Sequence, residues 1–284
     1  MNFARRGGAG KCERALPNMD KQASQASGLE SIRQEIDSID DEIVALLCRR
    51  FAASARVRDA KAAAPKSATP YRPGREAIIL RRLVEQAASD VPAGVVERVW
   101  RTIISASTRL QADVRLVTTP EVLADARHRA AVDLFAAMMP VEKARSLKGC
   151  LEALSPEQPV MAVVPMKSDW FAQIAGLAEP VRPRAIAVLP SDTGKPSRAL
   201  VVLGFAISEP TGEDETLVVT AGKLPRDFVP KPVWTMKIND DLHLTAVPGY
   251  LSTSEQPLVS LKGNVGLALK VAGRYPTAME MSEE

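Results

Sequence analysis

The sequence predicts an all-α three-helix domain followed by a mixed α/β domain, and three observations lead there. Its 284 residues exceed the ~100–150 that usually share one core, so two domains are expected. Over residues 29–112 apolar side chains recur at helical spacing with nothing strand-like between them. Past Gln111, short β-rich runs alternate with helical stretches and with many prolines and glycines. The expected boundaries are a disordered tail over 1–28, the helical domain over 29–112 and an α/β accessory domain over 113–284.

Composition narrows the function classes. A chain that is 46% hydrophobic and 25% charged, with a mean hydropathy of -0.05, is globular rather than disordered. It has no apolar run of 18 residues, so no transmembrane helix is expected. The formal charge of +3 is spread without a dominant basic block: +3 over residues 1–28, +3 over 29–112 and −3 over the remainder. Neither a nucleic-acid partner nor a membrane partner is expected. Cys12, Cys48 and Cys150 lie far apart, as do His128 and His243, so neither a disulfide framework nor a metal site is encoded. The tail carries Arg5, Arg6, Lys11 and Arg14 but no apolar signal core, which reads as cytoplasmic, with Met19 as an alternative start.

The first helix is predicted from Ser27 to about Ala64. It opens on the capping box Ser27-x-x-Glu30 and stops at Pro65. Leu29, Ile32, Ile36, Ile39, Ile43, Leu46 and Leu47 form its apolar stripe. A helix of roughly 35 residues, about 50 Å, cannot bury that stripe on itself, so it must pack on other helices or on another chain. Pro73 marks the first turn of the second helix, with Ile79, Leu83 and Ala87 on one face. Ser89 to Pro92 reads as a loop. The third helix is expected to bury Val95, Val96, Val99, Trp100, Ile103, Ile104 and Leu110.

Polar residues interrupt these faces. Arg50 stands seven residues beyond Ile43 and Lys61 eleven further on, rotations that fall about 20° from whole turns, so both extend the stripe. On the third helix Ser107 and Gln111 continue the face of Trp100, and on the second Glu76 aligns with Ile79 and Leu83. A single such residue is readily explained by a long side chain reaching water from the edge of a stripe. Buried charge without a partner is costly, however, and the pattern recurs on three helices, which points to a shared polar ligand. Arg50, Lys61 and also Arg33 and Arg75 are cationic, Glu76 is anionic, and Ser107 and Gln111 are neutral hydrogen bonders. That set suits a dianion carrying a hydroxyl. No nucleophile–base pair accompanies it, so any chemistry here proceeds without a protein nucleophile.

The runs Leu29-Glu-Ser-Ile-Arg33-x-x-Ile-Asp37-x-Ile-Asp40, Leu46-Leu47-x-x-Arg50, Val57-x-x-x-Lys61, Arg72-Pro-x-Arg75-Glu76 and Ile104-x-x-Ser107-x-x-x-Gln111 resemble, in order and spacing, the all-helical type II chorismate mutase domain. The resemblance covers residues 29–112. It implies an intertwined homodimer, chorismate as substrate, prephenate as product, a place in aromatic amino acid biosynthesis, and no cofactor. It also implies roles. Arg50 and the partner chain's Arg33 would hold the carboxylates, with Ser107 assisting. Lys61 and Gln111 would donate to the ether oxygen, and Glu76 would hold the ring hydroxyl, with Arg75 nearby. Arg72 stands where the enterobacterial pattern has aspartate; the hydroxyl contact is kept if that position acts through its backbone carbonyl and is lost if it acts through the aspartate side chain. Arg33 lies seventeen residues from Arg50, about 100° around the helix, and so belongs to a different site from Arg50 of its own chain. Because Gln111 is an amide, activity is expected to stay flat from weakly acidic to neutral pH.

In the second domain, Met161-Ala-Val-Val-Pro165 and Ser197-Arg198-Ala199-Leu-Val-Val-Leu-Gly204 resemble strands of prephenate dehydratase, with Met166-Lys167-Ser168 and Ala199 departing from its motifs. A degenerate relative acting as a regulatory or packing module is expected, with an aromatic amino acid as a possible effector. The alternatives are a bifunctional mutase/dehydratase, a lyase acting on isochorismate through the same helical fold, and a non-catalytic helical dimerisation module. Thr193-Gly-Lys195-Pro196 is no phosphate loop, and Pro210-Thr-Gly212-Glu-Asp214 is a turn. Trp170 and Trp234 are expected in the core, and His128 and His243 as surface or satisfied residues.

Overall fold

A computed structural model of the chain describes residues 19–62, 70–87, 90–178, 180–189, 196–239, 241–262 and 269–277. The chain divides into two compact units, Met1–Ala53 and Ser54–Glu284.

The first unit is carried by helix α1, Met19–Ala62, whose last turns belong to the second unit. The helix starts eight residues before Ser27, so the capping box lies inside it and residues 19–28 are helical where a disordered tail was expected. Its stripe is present and solvent-facing: Leu29 is 51%, Ile36 52% and Ile43 48% exposed. Burial is what makes most helices stable in water, and along this stripe Leu47 is half-buried while Leu29, Ile32, Ile36, Ile39, Ile43 and Leu46 are exposed.

After those last turns of α1, the second unit continues with α2, Pro73–Ala87, and α3, Ala93–Arg109. A boundary at residue 112 was expected, but these two helices pack with the sheet that follows. The physical reason is a set of tethers. Arg72 donates to Glu209 Oε1 at 2.7 Å. Arg81 donates to Thr211 Oγ1, the Glu213 carbonyl and the Thr277 carbonyl at 3.0, 2.9 and 2.7 Å. Ser105 Oγ donates to the Ala136 carbonyl at 2.9 Å and accepts from the Met138 amide at 3.0 Å.

These tethers rotate the buried faces away from the expected ones. On α2 the buried residues are Pro73, Gly74, Glu76 and Leu80, while Ile79 and Leu83 are half-buried. On α3 they are Val96, Ser105, Ser107 and Thr108, and Val95 is 50% exposed along with Val99 and Leu110. Apolar content pointed to one face, and the available hydrogen-bond partners selected another.

Among the described residues one nine-stranded sheet follows, in the order β2-β1-β3-β5-β4-β9-β6-β8-β7. Its strands are β1 Arg115–Thr118, β2 Val141–Lys143, β3 Val160–Pro165, β4 Arg184–Leu189, β5 Leu200–Gly204, β6 Asp214–Ala221, β7 Trp234–Lys237, β8 Leu242–Pro248 and β9 Lys270–Pro276. Helices α4 Pro120–Ala124, α5 Ala126–Ala136, α6 Leu147–Glu152, α7 Trp170–Ile174 and α8 Leu258–Lys262 cover it. Strands β1, β2 and β3 are parallel, whereas β5 runs antiparallel to both β3 and β4. The two halves of the sheet meet at Ala185 and Gly273, where a side chain on residue 273 would collide with the Ala185 backbone. Glycine is therefore required at that crossing.

One face of the first half buries Leu116, Met161, Val163 and Ile186 under α4 and α5. Tyr71, immediately before α2, belongs to the same cluster and meets Phe135 edge-on at 5.8 Å. The opposite face buries Trp170, and Trp234 lies in the same core, as expected. The Pro210–Asp214 segment is a turn: the Thr211 amide donates to Asp214 Oδ2 at 2.7 Å and Gly212 takes φ 89°. His128 Nε2 lies 2.9 Å from the Arg198 carbonyl. His243 is buried and its Nδ1 lacks a partner among the described residues, unlike the satisfied histidine expected. No helix among the described residues is long and apolar enough to cross a membrane.

Candidate functional site

In the first unit α1 supplies two cationic candidates. Arg33 is exposed and lies 3.6 Å from Glu30 Oε2, one turn back. Arg50 is half-buried, and that burial draws its guanidinium below the ordinary arginine value. Lys61 falls in the last turn of α1, and its side chain lies outside the described residues.

In the second unit, α2 and α3 carry the remaining candidates. Glu76 sits in the first turn of α2, where the helix dipole favours a carboxylate, and is only 9% exposed. Arg101 Nη1 donates to Glu76 Oε1 at 2.9 Å, and Arg101 Nε donates to Glu97 Oε1 at 2.8 Å. One guanidinium thus serves two carboxylates and leaves a net negative charge in a poorly hydrated place. Burial pushes the Glu76 carboxyl above the usual range, Arg101 opposes that, and Glu97 adds to it. Burial lowers Arg101, but Glu76 and Glu97 outweigh it and hold the guanidinium above its ordinary value. The Tyr71 hydroxyl is driven well above its usual value by burial and by Glu76. These groups line a cavity of about 70 Å³ with Phe135, Leu189 and Thr277.

Ser107 lies on a different side of α3, and Gln111 follows in the turn just past the end of that helix. Ser107 Oγ donates to the Ile103 carbonyl at 2.8 Å, a back-bond to the preceding turn of the helix. Gln111 Nε2 donates to the Ser107 carbonyl at 3.3 Å. From Arg101 to Ser107 the helix turns by roughly 120° in the shorter sense, so Ser107 lies about a third of the way around α3 from the residue that holds Glu76. Arg75 is exposed, and Arg72 pairs with Glu209.

The structure therefore joins Ser107 to Gln111, and it joins Glu76 to two residues that the sequence reading missed. Glu97 and Arg101 stand at i and i+4 with the acid first, the favoured helical order, and that signal was legible. The link from Arg101 to Glu76 spans twenty-five positions and has no local signature.

Residues 32–112 match the family model described as chorismate mutase type II. A bifunctional chorismate mutase/prephenate dehydratase of Stutzerimonas stutzeri is 31% identical over 96 residues, which is 33% of this chain and 26% of that protein. The chain thus spans about a quarter of the length of that relative. The X-ray structure of a prephenate dehydratase from Streptococcus mutans aligns at 14% identity over 57% of this chain and 97% of that one, with a TM-score of 0.35.

Proposed function

We propose that the protein is a chorismate mutase, converting chorismate to prephenate in aromatic amino acid biosynthesis. The observation that carries this reading is the match over residues 32–112, a segment containing every candidate from Arg33 to Gln111 in order. The reaction is a one-substrate rearrangement, in which the enolpyruvyl arm must fold over the ring and charge builds on the breaking ether oxygen. Arg50, with Ser107 assisting, and the partner subunit's Arg33 hold the two carboxylates and restrict the conformer. Lys61 and Gln111 donate to the ether oxygen as it becomes negative. Donors of this kind are worth about 2.7–4 kcal/mol each, so two approach the ~8 kcal/mol of a millionfold acceleration. Glu76 accepts from the ring hydroxyl, with Arg75 nearby and the backbone carbonyl of Arg72 as a further acceptor. No group is protonated or alkylated in the step, so no cofactor takes part.

The working form is a cytoplasmic homodimer. Its support is the half-exposed stripe of α1, an apolar face too long to leave in water. The α/β part is an accessory module, with an aromatic amino acid as candidate effector. A bifunctional mutase/dehydratase is the second reading, and the name of the Stutzerimonas stutzeri relative favours it.

The deciding experiment follows chorismate loss and identifies the product. Prephenate alone supports a mutase, and phenylpyruvate formation from prephenate supports the bifunctional enzyme. Pyruvate release identifies a lyase. A bicyclic dicarboxylate resembling the transition state should bind saturably; the absence of both turnover and binding leaves a scaffold. Arg50→Ala and Lys61→Ala should abolish turnover with little loss of stability, and full activity in either refutes the site.

A further inference from the structure

The Arg101 side chain has no part in the mutase reading, yet it is the cation that pairs with Glu76. It is largely buried, it bridges α2 and α3, and it bonds two carboxylates at 2.9 and 2.8 Å. Glu97 holds the guanidinium from one turn below, which fixes the fork in the plane that reaches Glu76. A glutamate side chain has three rotatable bonds, and a bond from a locked guanidinium removes most of that freedom before a ligand arrives.

We propose that Arg101 is a positioning residue of the mutase site, fixing the carboxylate of Glu76 for the ring hydroxyl of chorismate, with Glu97 as the anchor that orients Arg101. The inference rests on the functional reading above. It follows from the geometry that Arg101 acts through Glu76 and need not touch substrate.

A charge-based consequence separates this role from simple packing. The charged and titratable groups arrayed around Glu76 are Arg101 and Glu97 on α3 and Tyr71 before α2. Of these only Arg101 favours the ionised carboxylate; burial and Glu97 oppose it. Removing the positive charge therefore drives Glu76 further towards its neutral form, and the acid limb of activity moves to higher pH.

The test uses the full chain and compares Arg101→Gln, Arg101→Lys, Glu76→Gln and the double variant Arg101→Gln/Glu76→Gln, with steady-state kinetics from pH 5 to 9 and a melting curve for each. At neutral pH Arg101→Gln should raise KM about tenfold, the equivalent of one charge-assisted hydrogen bond, with kcat changed much less. Its acid limb should shift upward so that raising the pH recovers part of the loss. Arg101→Lys should keep the wild-type limb and restore most of the affinity. In the Glu76→Gln background Arg101→Gln should add nothing, since the group it acts through has lost its charge. Equal effects of Arg101→Gln with and without Glu76→Gln, or superimposable pH profiles for the Gln and Lys variants, overturn the proposal. So does Arg101→Gln turning over like wild type. If Arg101→Gln does not fold, the Lys profile decides: a limb displaced from wild type goes against the proposal. Wild-type protein that neither consumes chorismate nor binds the bicyclic diacid removes the functional reading itself, a failure distinct from normal wild-type turnover that is indifferent to Arg101.

Discussion

Replacing Arg81 by alanine should loosen α2 from the sheet, and the size of the effect follows from its contacts. The guanidinium is mostly buried and donates to two backbone carbonyls, those of Glu213 and Thr277, at 2.9 and 2.7 Å, and to the hydroxyls of Thr211 and Thr277 at 3.0 Å. Its Nε also lies 3.1 Å from Glu213 Oε2, a carboxylate that is largely in water and contributes little. Hydrogen bonds to a charged group are worth about 1.5–3 kcal/mol each when partly buried, and they are not additive on one side chain. The two shortest, to backbone carbonyls, then set a cost of roughly 3 kcal/mol, or about 6–12 °C in Tm for a unit of this size. Thermal melts followed by far-UV circular dichroism measure it, with Arg82→Ala as the control. The Arg82 guanidinium donates to Gln86 on its own exposed helix face at 3.3 Å, and its loss should stay within about 0.5 kcal/mol. Equal melting temperatures for the two variants would refute the assignment of Arg81 as the tether. So would a destabilised Arg81→Ala protein whose α2 amides exchange at the wild-type rate.

Three further outcomes are expected. Gly273→Ala should cost at least ~3 kcal/mol in urea unfolding, because its methyl meets the Ala185 backbone, whereas Gly204→Ala meets the movable Ile186 Cδ1 at 3.2 Å and should cost clearly less; similar midpoints would argue against the crossing. Glu215 is buried beside Tyr275, whose hydroxyl donates to Glu215 Oε2 at 2.8 Å, and burial raises its carboxyl above the usual range. A raised carboxyl gives stability that is complete below its unfolded value and is lost as pH rises through the folded one. Glu215→Gln should therefore melt above wild type at alkaline pH and converge with it in acid, and a pH-independent difference would contradict this cause. Gln111→Glu should make turnover depend on acid, since a carboxyl donates to the ether oxygen only when protonated, and an unchanged pH–rate profile counts against that contact.

Much of the helical segment was legible because its signals are local. The α1 stripe, the start of α2 at Pro73 and the ordered series Arg33, Arg50, Lys61, Arg75-Glu76, Ser107, Gln111 all follow from spacing along one chain. Strands β3, β6 and β8 announced themselves as apolar and β-branched runs buried on both faces, and β4 as a short apolar run. Strands β2 and β7 escaped because they are short edge strands, and β9 because Gly273 and Arg274 interrupt its apolar character.

What the linear order determined on its own is which residues recur at helical or strand spacing, and hence which polar groups lie on otherwise apolar faces. What only the tertiary structure decided is which face each helix buries and what each polar group meets there. Glu76 was expected to follow Ile79 and Leu83, yet it is buried with Leu80 because Arg101, twenty-five positions away, offers it a bond. Ser105 went unnoticed until the Ala136 carbonyl and the Met138 amide arrived from α5 and the turn after it. Periodicity records how a segment repeats against itself. A buried hydrogen bond depends on a partner brought up by the rest of the chain, and no window along the sequence contains both ends of it.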